Sequence, residues 1–168
     1  LMNLGLIKKA LIICPLSIMY SAWQGDVFNT CMHRTSQVCH GSADKRKKII
    51  QGDWDFTIIN YDGVGIVKDE IMSAGYDLIV VDECNAHTTA RWKALFKILG
   101  GKEKNEDMKL WMMTGTPASQ SPMDAFGLAK LVCPNNVPRL SAAWKEKTMH
   151  QISRFKWIPK PNSKDDVF

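Results

Sequence analysis

Short, mainly apolar runs recur along this chain at 10–14, 37–40, 56–60, 78–81 and 110–113. They do not alternate with polar residues as half-exposed strands do, and so they predict strands buried on both faces, the habit of a parallel sheet. Between and after them, 18–28, 43–50, 68–73, 89–99 and 122–131 have helical character. The fourth is the clearest, with Trp92, Leu95, Phe96 and Leu99 on one face and Arg91, Lys93 and Lys97 around it. Strands that alternate with helices predict an α/β fold. Punctuation agrees. Gly75 precedes the fourth strand, Gly100 and Gly101 close the fourth helix, and the charged stretch 102–109 forms a loop. Beyond Pro134 the pattern changes: Pro134, Pro138, Pro159 and Pro161 bracket one further helix at 141–155, followed by a linker-like end.

At 168 residues, 45% of them hydrophobic, the chain can bury one ordinary core. Its formal net charge of +5 suits an acidic partner such as nucleic acid but does not single one out. The 5 cysteines are scattered, with no disulfide framework and no signal-peptide pattern, which predicts a reducing cytoplasmic setting. Apolar runs are too short for a membrane span. Cys31, His33, Cys39 and His40 are spaced too irregularly for a structural zinc site.

The sharpest chemistry follows the fourth strand, where Leu78-Ile79-Val80-Val81 runs directly into Asp82-Glu83. A buried parallel strand delivers both acids to the carboxyl edge of the sheet, where α/β proteins place ligands. In a nucleoside-triphosphate motor such a pair divides its work: Asp82 would hold magnesium through water, and Glu83 would orient and polarise the attacking water. Two acids opening a helix, where the dipole favours them, are the plainer alternative. Further on, Leu110-Trp111-Met112-Met113 leads into Thr114-Gly115-Thr116-Pro117, a turn whose hydroxyls can respond to phosphate and which, standing alone, would be only a turn.

Taken together these segments resemble superfamily-two helicases and Swi/Snf-like DNA translocases, over about 10–138 and as far as 159. "ALIICPLSIMYSAW" resembles motif Ia, "VCHGSADKRKK" the strand-Gly-helix block after it, and "FTIINYDGV" motif Ib. "LIVVDECNAHTTARWKAL" is similar to motif II, and "LWMMTGTPASQSPMDAFGLAKLVCP" to motif III and its sequel. The segments "RWKAL", "SPMDAFGLAKLVCP" and "RFKWIPKP" look most like helicases of phages and phage-like environmental sequences.

The resemblance implies a RecA-like fold with a mainly parallel sheet and helices on both faces, a partial first helicase domain at 1–138 and an extension at 139–168 leading toward a second RecA-like domain. It implies ATP and magnesium as cofactors of the complete protein, and DNA gripped through its backbone whatever the sequence. By position, Pro15, Leu16 and Ser17 and then Asn60, Tyr61 and Asp62 face nucleic acid. Asn85, His87, Thr114, Gly115 and Thr116 would couple the ATP and DNA sites. Lys45 and Arg46, in a run of four cations, are candidate phosphate contacts, although a solvated helix face is the plainer reading. Trp23, Trp54, Trp92, Trp111, Trp144 and Trp157 lie beside apolar runs and are read as packing anchors.

Two features depart from the family pattern. The motif II tetrad is Asp82-Glu83-Cys84-Asn85, where Asp-Glu-Ala-His is usual, and no Gly-x-x-x-x-Gly-Lys-Ser/Thr loop occurs. The expectation is therefore a motor fragment, cut after its phosphate loop and inactive by itself, with an exposed edge at 110–113 prone to self-association. Its rivals are a nucleic-acid-binding or regulatory module without nucleotide chemistry, and an unrelated α/β enzyme using Asp82 and Glu83 with a metal.

Overall fold

All five runs that the hydrophobic pattern predicted as strands are strands in the computed structural model, which describes residues 1–83, 90–99, 108–115, 121–161 and 163. They are β1 (Ala10–Cys14), β2 (Ser36–Cys39), β3 (Phe56–Asn60), β4 (Leu78–Val81) and β5 (Lys109–Met112). They form a 5-stranded sheet in the order β2-β3-β1-β4-β5, and every pairing is parallel. Ile12 lies between Ile58 and Val80, and Ile13 between Ile59 and Val81. All five residues of β1 are buried, as a strand at the centre of a sheet covered on both faces requires.

The two faces are covered by different parts of the chain. Ala10, Ile12, Cys14, Val38, Ile58, Leu78 and Val80 form one core with Met19 and Val27, which come from the segment between β1 and β2. That segment is not the single helix expected at 18–28. It is a 3-10 turn (Leu16–Ile18), a π turn (Met19–Gln24) and then α1 (Gly25–Thr30). The alternate positions Leu11, Ile13, Ile59, Ile79 and Val81 point the other way. There the buried Ile49, Ile50, Val64, Ile71, Leu95 and Ile98 come from α2 (Ala43–Ile50), α3 (Tyr61–Ile66), α4 (Lys68–Ser73) and α5 (Ala90–Ile98). Helix α3 was not expected, because Gly63 and Gly65 obscure its helical character.

Contacts divide the described residues into two units, one of 1–83, 90–99 and 108–113 and the other of 114–115, 121–161 and 163. The 138 boundary drawn on family pattern falls inside the second. This unit holds α6 (Pro122–Val132) and α7 (Ser141–Thr148). Ser121 and Asp124 cap α6 reciprocally, with Pro122 at its first turn. The Trp144 indole, 3% exposed, donates to the Pro122 carbonyl at 2.9 Å and joins the two helices. The helix expected at 141–155 ends at Thr148. Met149 turns extended, and the chain forms an antiparallel hairpin of β6 (Met149–Gln151) and β7 (Trp157–Pro159). Among the described residues no helix is long and apolar enough to cross a membrane.

At the amino edge of the sheet, carboxylates tie the strand starts together. Asp77 accepts from the backbone N–H groups of Lys8 and Lys9 at 2.7 and 3.0 Å, linking β4 to β1. Asp55 accepts from the Thr35 N–H and hydroxyl at 2.7 and 2.8 Å and pairs with Arg34 at 3.1 Å, linking β3 to β2. Burial opposes the Asp55 charge, but the Thr35 hydrogen bonds and the Arg34 cation outweigh it and hold the carboxyl below its usual range. A lowered folded-state value contributes stability that is complete above the unfolded value of about 3.9 and is lost as pH falls through the folded one. Asp55→Asn should therefore lower stability at neutral pH and flatten its decline below about pH 4 in urea titrations across pH. An unchanged acid limb would show that Asp55 does not carry this linkage.

Candidate functional site

Because the strands are all parallel, β1, β3 and β4 end side by side, and the residues that follow them gather at one edge. Pro15, Leu16 and Ser17 leave β1, Asn60, Tyr61 and Asp62 lead from β3 into α3, and Asp82 and Glu83 leave β4. The structure thus brings together eight of the residues singled out in the sequence. Leu16 and Ser17 are exposed, Pro15 and Tyr61 half-buried, and Asp62 exposed. Thr114, half-buried, and Gly115, exposed, belong to the second unit and follow β5 after Met113. Asn85, His87 and Thr116 lie outside the described residues.

Asp82 is the most heavily positioned group at this edge. Its backbone N–H donates to the Ile13 carbonyl at 2.8 Å, continuing the β4–β1 ladder by one bond. Its Oδ2 accepts from the Trp23 indole N–H at 2.8 Å, and its Oδ1 accepts from the Glu83 backbone N–H at 2.9 Å. The Tyr61 hydroxyl donates to its carbonyl oxygen. Among the described residues each carboxylate oxygen therefore has one donor fixing it and a second lone-pair direction remaining. Glu83 is held at φ 54, the one non-glycine residue with positive φ among those described. An L-residue there carries strain of order 1–3 kcal/mol, a cost that recurs at functional positions. The left-handed turn aims the Glu83 N–H back onto Asp82 and leaves the Glu83 side chain exposed.

Trp23 is the contributor that sequence reasoning missed, since it was read only as a packing anchor. The signal that could have found it was the combination of a buried-side tryptophan, which seeks an acceptor for its N–H, and a carboxylate on a neighbouring strand end. The π turn that carries it is a widened turn of the kind often found at functional sites. Beneath the site, burial and then the Asp82 charge push the Cys14 thiol up to about 12, so it stays protonated at neutral pH.

The basic run 45–48 does not behave as one surface. Lys45 and Lys48 are exposed, and Lys47 pairs with Glu70 at 2.8 Å. Arg46 departs from the expected phosphate contact. Only 6% exposed, it donates to the carbonyls of Gly41 at 2.9 Å and Cys39 at 2.7 Å and to Asn60 Oδ1 at 3.2 Å. It ties the end of β2 to the end of β3, because a buried cation must be matched by acceptors. Gly63 makes room beside it: a Cβ there would force the Arg46 guanidinium and the Asn60 side chain to shift. Asn60, expected to face nucleic acid, is likewise buried, with its side-chain oxygen engaged by Arg46.

Asp82 can serve a magnesium ion in one way. Among the described residues no cluster of three His, Cys, Asp or Glu side chains could enclose a metal. Magnesium, however, commonly retains several waters and takes only one or two carboxylates, with phosphates supplying the rest. A hard, half-buried carboxylate with lone pairs remaining fits that role.

The family model described as the SNF2-related domain matches residues 3–165. Chromodomain-helicase-DNA-binding protein 6 of Mus musculus and of Homo sapiens are each 26% identical over 184 aligned positions, covering 97% of this chain. The chain spans 7% of the length of these curated relatives. The Sulfolobus solfataricus SWI2/SNF2 ATPase core in complex with dsDNA matches 88% of this chain and 29% of its own, with a TM-score of 0.68 at 22% identity. At that identity the likeness establishes the fold, a RecA-like parallel sheet flanked by helices.

If the indole bond helps to hold Asp82, Trp23→Phe should keep most of the packing and lose the donor. A loss of about 1–2 kcal/mol in urea unfolding is expected, as for a hydrogen bond to a charged group near the surface. The same loss in an Asp82→Ala background, where the acceptor is gone, would show that the carboxylate is not the partner that matters.

Proposed function

The chain belongs to the SNF2-related domain family, and from that premise we propose that it is part of an ATP-dependent DNA helicase or translocase motor. The observation that carries the proposal is the held pair at the carboxyl edge, Asp82 fixed by Trp23 and the Glu83 amide with Glu83 exposed beside it. Asp82 would hold a hydrated magnesium ion by accepting hydrogen bonds from its waters. When bound, magnesium neutralises charge on the β- and γ-phosphates of ATP. Glu83 accepts a hydrogen bond from the attacking water and aligns it. Pro15, Leu16, Ser17, Tyr61 and Asp62 occupy the neighbouring strand ends, where backbone amides and hydroxyls can grip a DNA sugar-phosphate chain without reading its sequence. The relative solved with dsDNA supports DNA as the partner.

Thr114 and Gly115, with Asn85, His87 and Thr116, are assigned to coupling between nucleotide and DNA. The reaction also calls for a phosphate-binding loop and a second RecA-like domain. No Gly-x-x-x-x-Gly-Lys-Ser/Thr sequence occurs in these 168 residues, so the proposal concerns part of a motor, with no turnover by this chain alone. Phage-like origin remains part of the same reading, supported by the sequence segments alone.

The test compares ATP hydrolysis, with and without duplex DNA, by this chain and by a polypeptide joining it to such a loop and second domain. DNA-stimulated turnover is expected only in the joined protein, with Glu83→Gln lowering kcat by roughly a hundredfold or more. Absence of turnover in the joined protein would favour a binding module that has lost nucleotide chemistry.

The proposal extends to association along β5, the last strand in the sheet order, where Trp111 is 50% exposed. Sedimentation velocity at rising concentration should show reversible association of this chain, reduced by Trp111→Lys. A single monomeric boundary at every concentration would remove that part of the reading.

A further inference from the structure

The β6–β7 hairpin carries features that the motor site does not use. Its register pairs Met149 with Pro159, His150 with Ile158 and Gln151 with Trp157. Alternation places Met149, Gln151, Trp157 and Pro159 on one face. Two of its residues are anchored, while Gln151 and Pro159 are exposed: Met149 is buried, and the Lys145 ammonium sits 4.4 Å from the centre of the Trp157 ring. Lys160 is also committed to the fold, donating from its backbone to Thr148 and from Nζ to the Glu146 carbonyl at 2.7 Å.

The opposite face and the tip are open. His150 and Lys156 are exposed, Ile158 is 40% and Ile152 53% exposed, and Phe155 at the tip is 88% exposed. The tip is nonetheless tightly built. Ile152 N–H donates to the Lys156 carbonyl at 3.0 Å, Lys156 N–H to the Ser153 hydroxyl at 3.2 Å, and the Gln151 amide to the Arg154 carbonyl at 3.4 Å. These bonds present Arg154, Phe155 and Lys156 outward from a closed turn, with the Arg154 guanidinium 5.5 Å from the Phe155 ring centre. From 147 to 163 the sequence contains Lys147, Arg154, Lys156 and Lys160 and no Asp or Glu.

An exposed aromatic ring flanked by cations, on a hydrogen-bonded turn with no carboxylate between 147 and 163, complements a polyanion whose charged backbone alternates with flat apolar faces. A nucleic-acid strand with unpaired bases has that chemistry, whereas a blunt duplex hides its base faces. We propose that the β6–β7 hairpin is a docking element for such a strand, with Phe155 stacking on a base and Arg154 and Lys156 contacting phosphates. This rests on the nucleic-acid partner of the reading above and adds a preference for unpaired bases to it.

The experiment is fluorescence anisotropy with the whole 168-residue chain, using labelled oligodeoxythymidylate and a blunt duplex as probes over a range of salt. Phe155→Ala should weaken oligodeoxythymidylate binding roughly tenfold and change duplex binding by less than about twofold. Phe155→Trp, which keeps a stacking ring, should restore it. Arg154→Gln with Lys156→Gln should lower the slope of log affinity against log salt by about 1.4, the value for two phosphate contacts on a single strand. Because these side chains are exposed, thermal melts should be unchanged.

Wild-type affinity for oligodeoxythymidylate in Phe155→Ala would overturn the proposal, as would equal losses on both probes. Duplex binding with no oligodeoxythymidylate binding would overturn the hairpin's role and leave the DNA partner standing. Failure to bind either probe would remove both.

Discussion

A parallel sheet buried on both faces gives its backbone N–H and C=O groups no water to turn to, so each strand must bond its neighbours in register along its whole length. That constraint governs the first unit of this protein. β1 satisfies it toward β3 on one side and β4 on the other, and its burial is complete. With direction and register set in this way, the ends of three adjacent strands have to coincide. The gathering of Pro15, Asn60 and Asp82 at one edge is a geometric result of pairing, and the chemistry of the edge depends on it.

The two edges of the sheet handle charge differently. At the amino edge, Asp55 and Asp77 use their carboxylates to bond the starts of neighbouring strands, which leaves them structural. At the carboxyl edge Asp82 is fixed by one donor on each oxygen, so that orientation is settled while capacity remains. Arg46 supplies the matching brace between β2 and β3. Similar residues thus serve opposite ends for different purposes, and the distinction lies in how many of their hydrogen-bonding directions the fold takes up.

Strands and most helices were legible in the sequence because each was a run of apolar residues whose period or length matched one element. The edge that collects Asp82 and Glu83 was legible for the same reason, since parallel pairing follows from buried strands alternating with helices. What escaped was decided by contacts between residues far apart. Nothing in "ADKRKKII" distinguishes Arg46 from the lysines around it, and its inward direction depends on carbonyls at the end of β2 and on Asn60. Helix α3 was hidden by Gly63, whose missing side chain leaves room for the Arg46 guanidinium. The expected helix at 141–155 was overextended because Trp144 and the lysines around it continue a plausible helical pattern, whereas the extended backbone at Met149 begins a hairpin.

The π turn at Met19–Gln24 bears on how this region can change over generations. A π turn accommodates one residue more than an α turn, and each residue advances an α-helix by roughly 100°. Losing a single residue from the turn would leave a more regular helix with a better local hydrogen-bond pattern, yet it would rotate the Trp23 indole away from the strand end it serves. Length in this segment is thus under tighter constraint than composition. Substitutions at the exposed Tyr20 and Ser21 can be absorbed, while an insertion or deletion between Met19 and Gln24 shifts the phase of the Trp23 indole relative to Asp82.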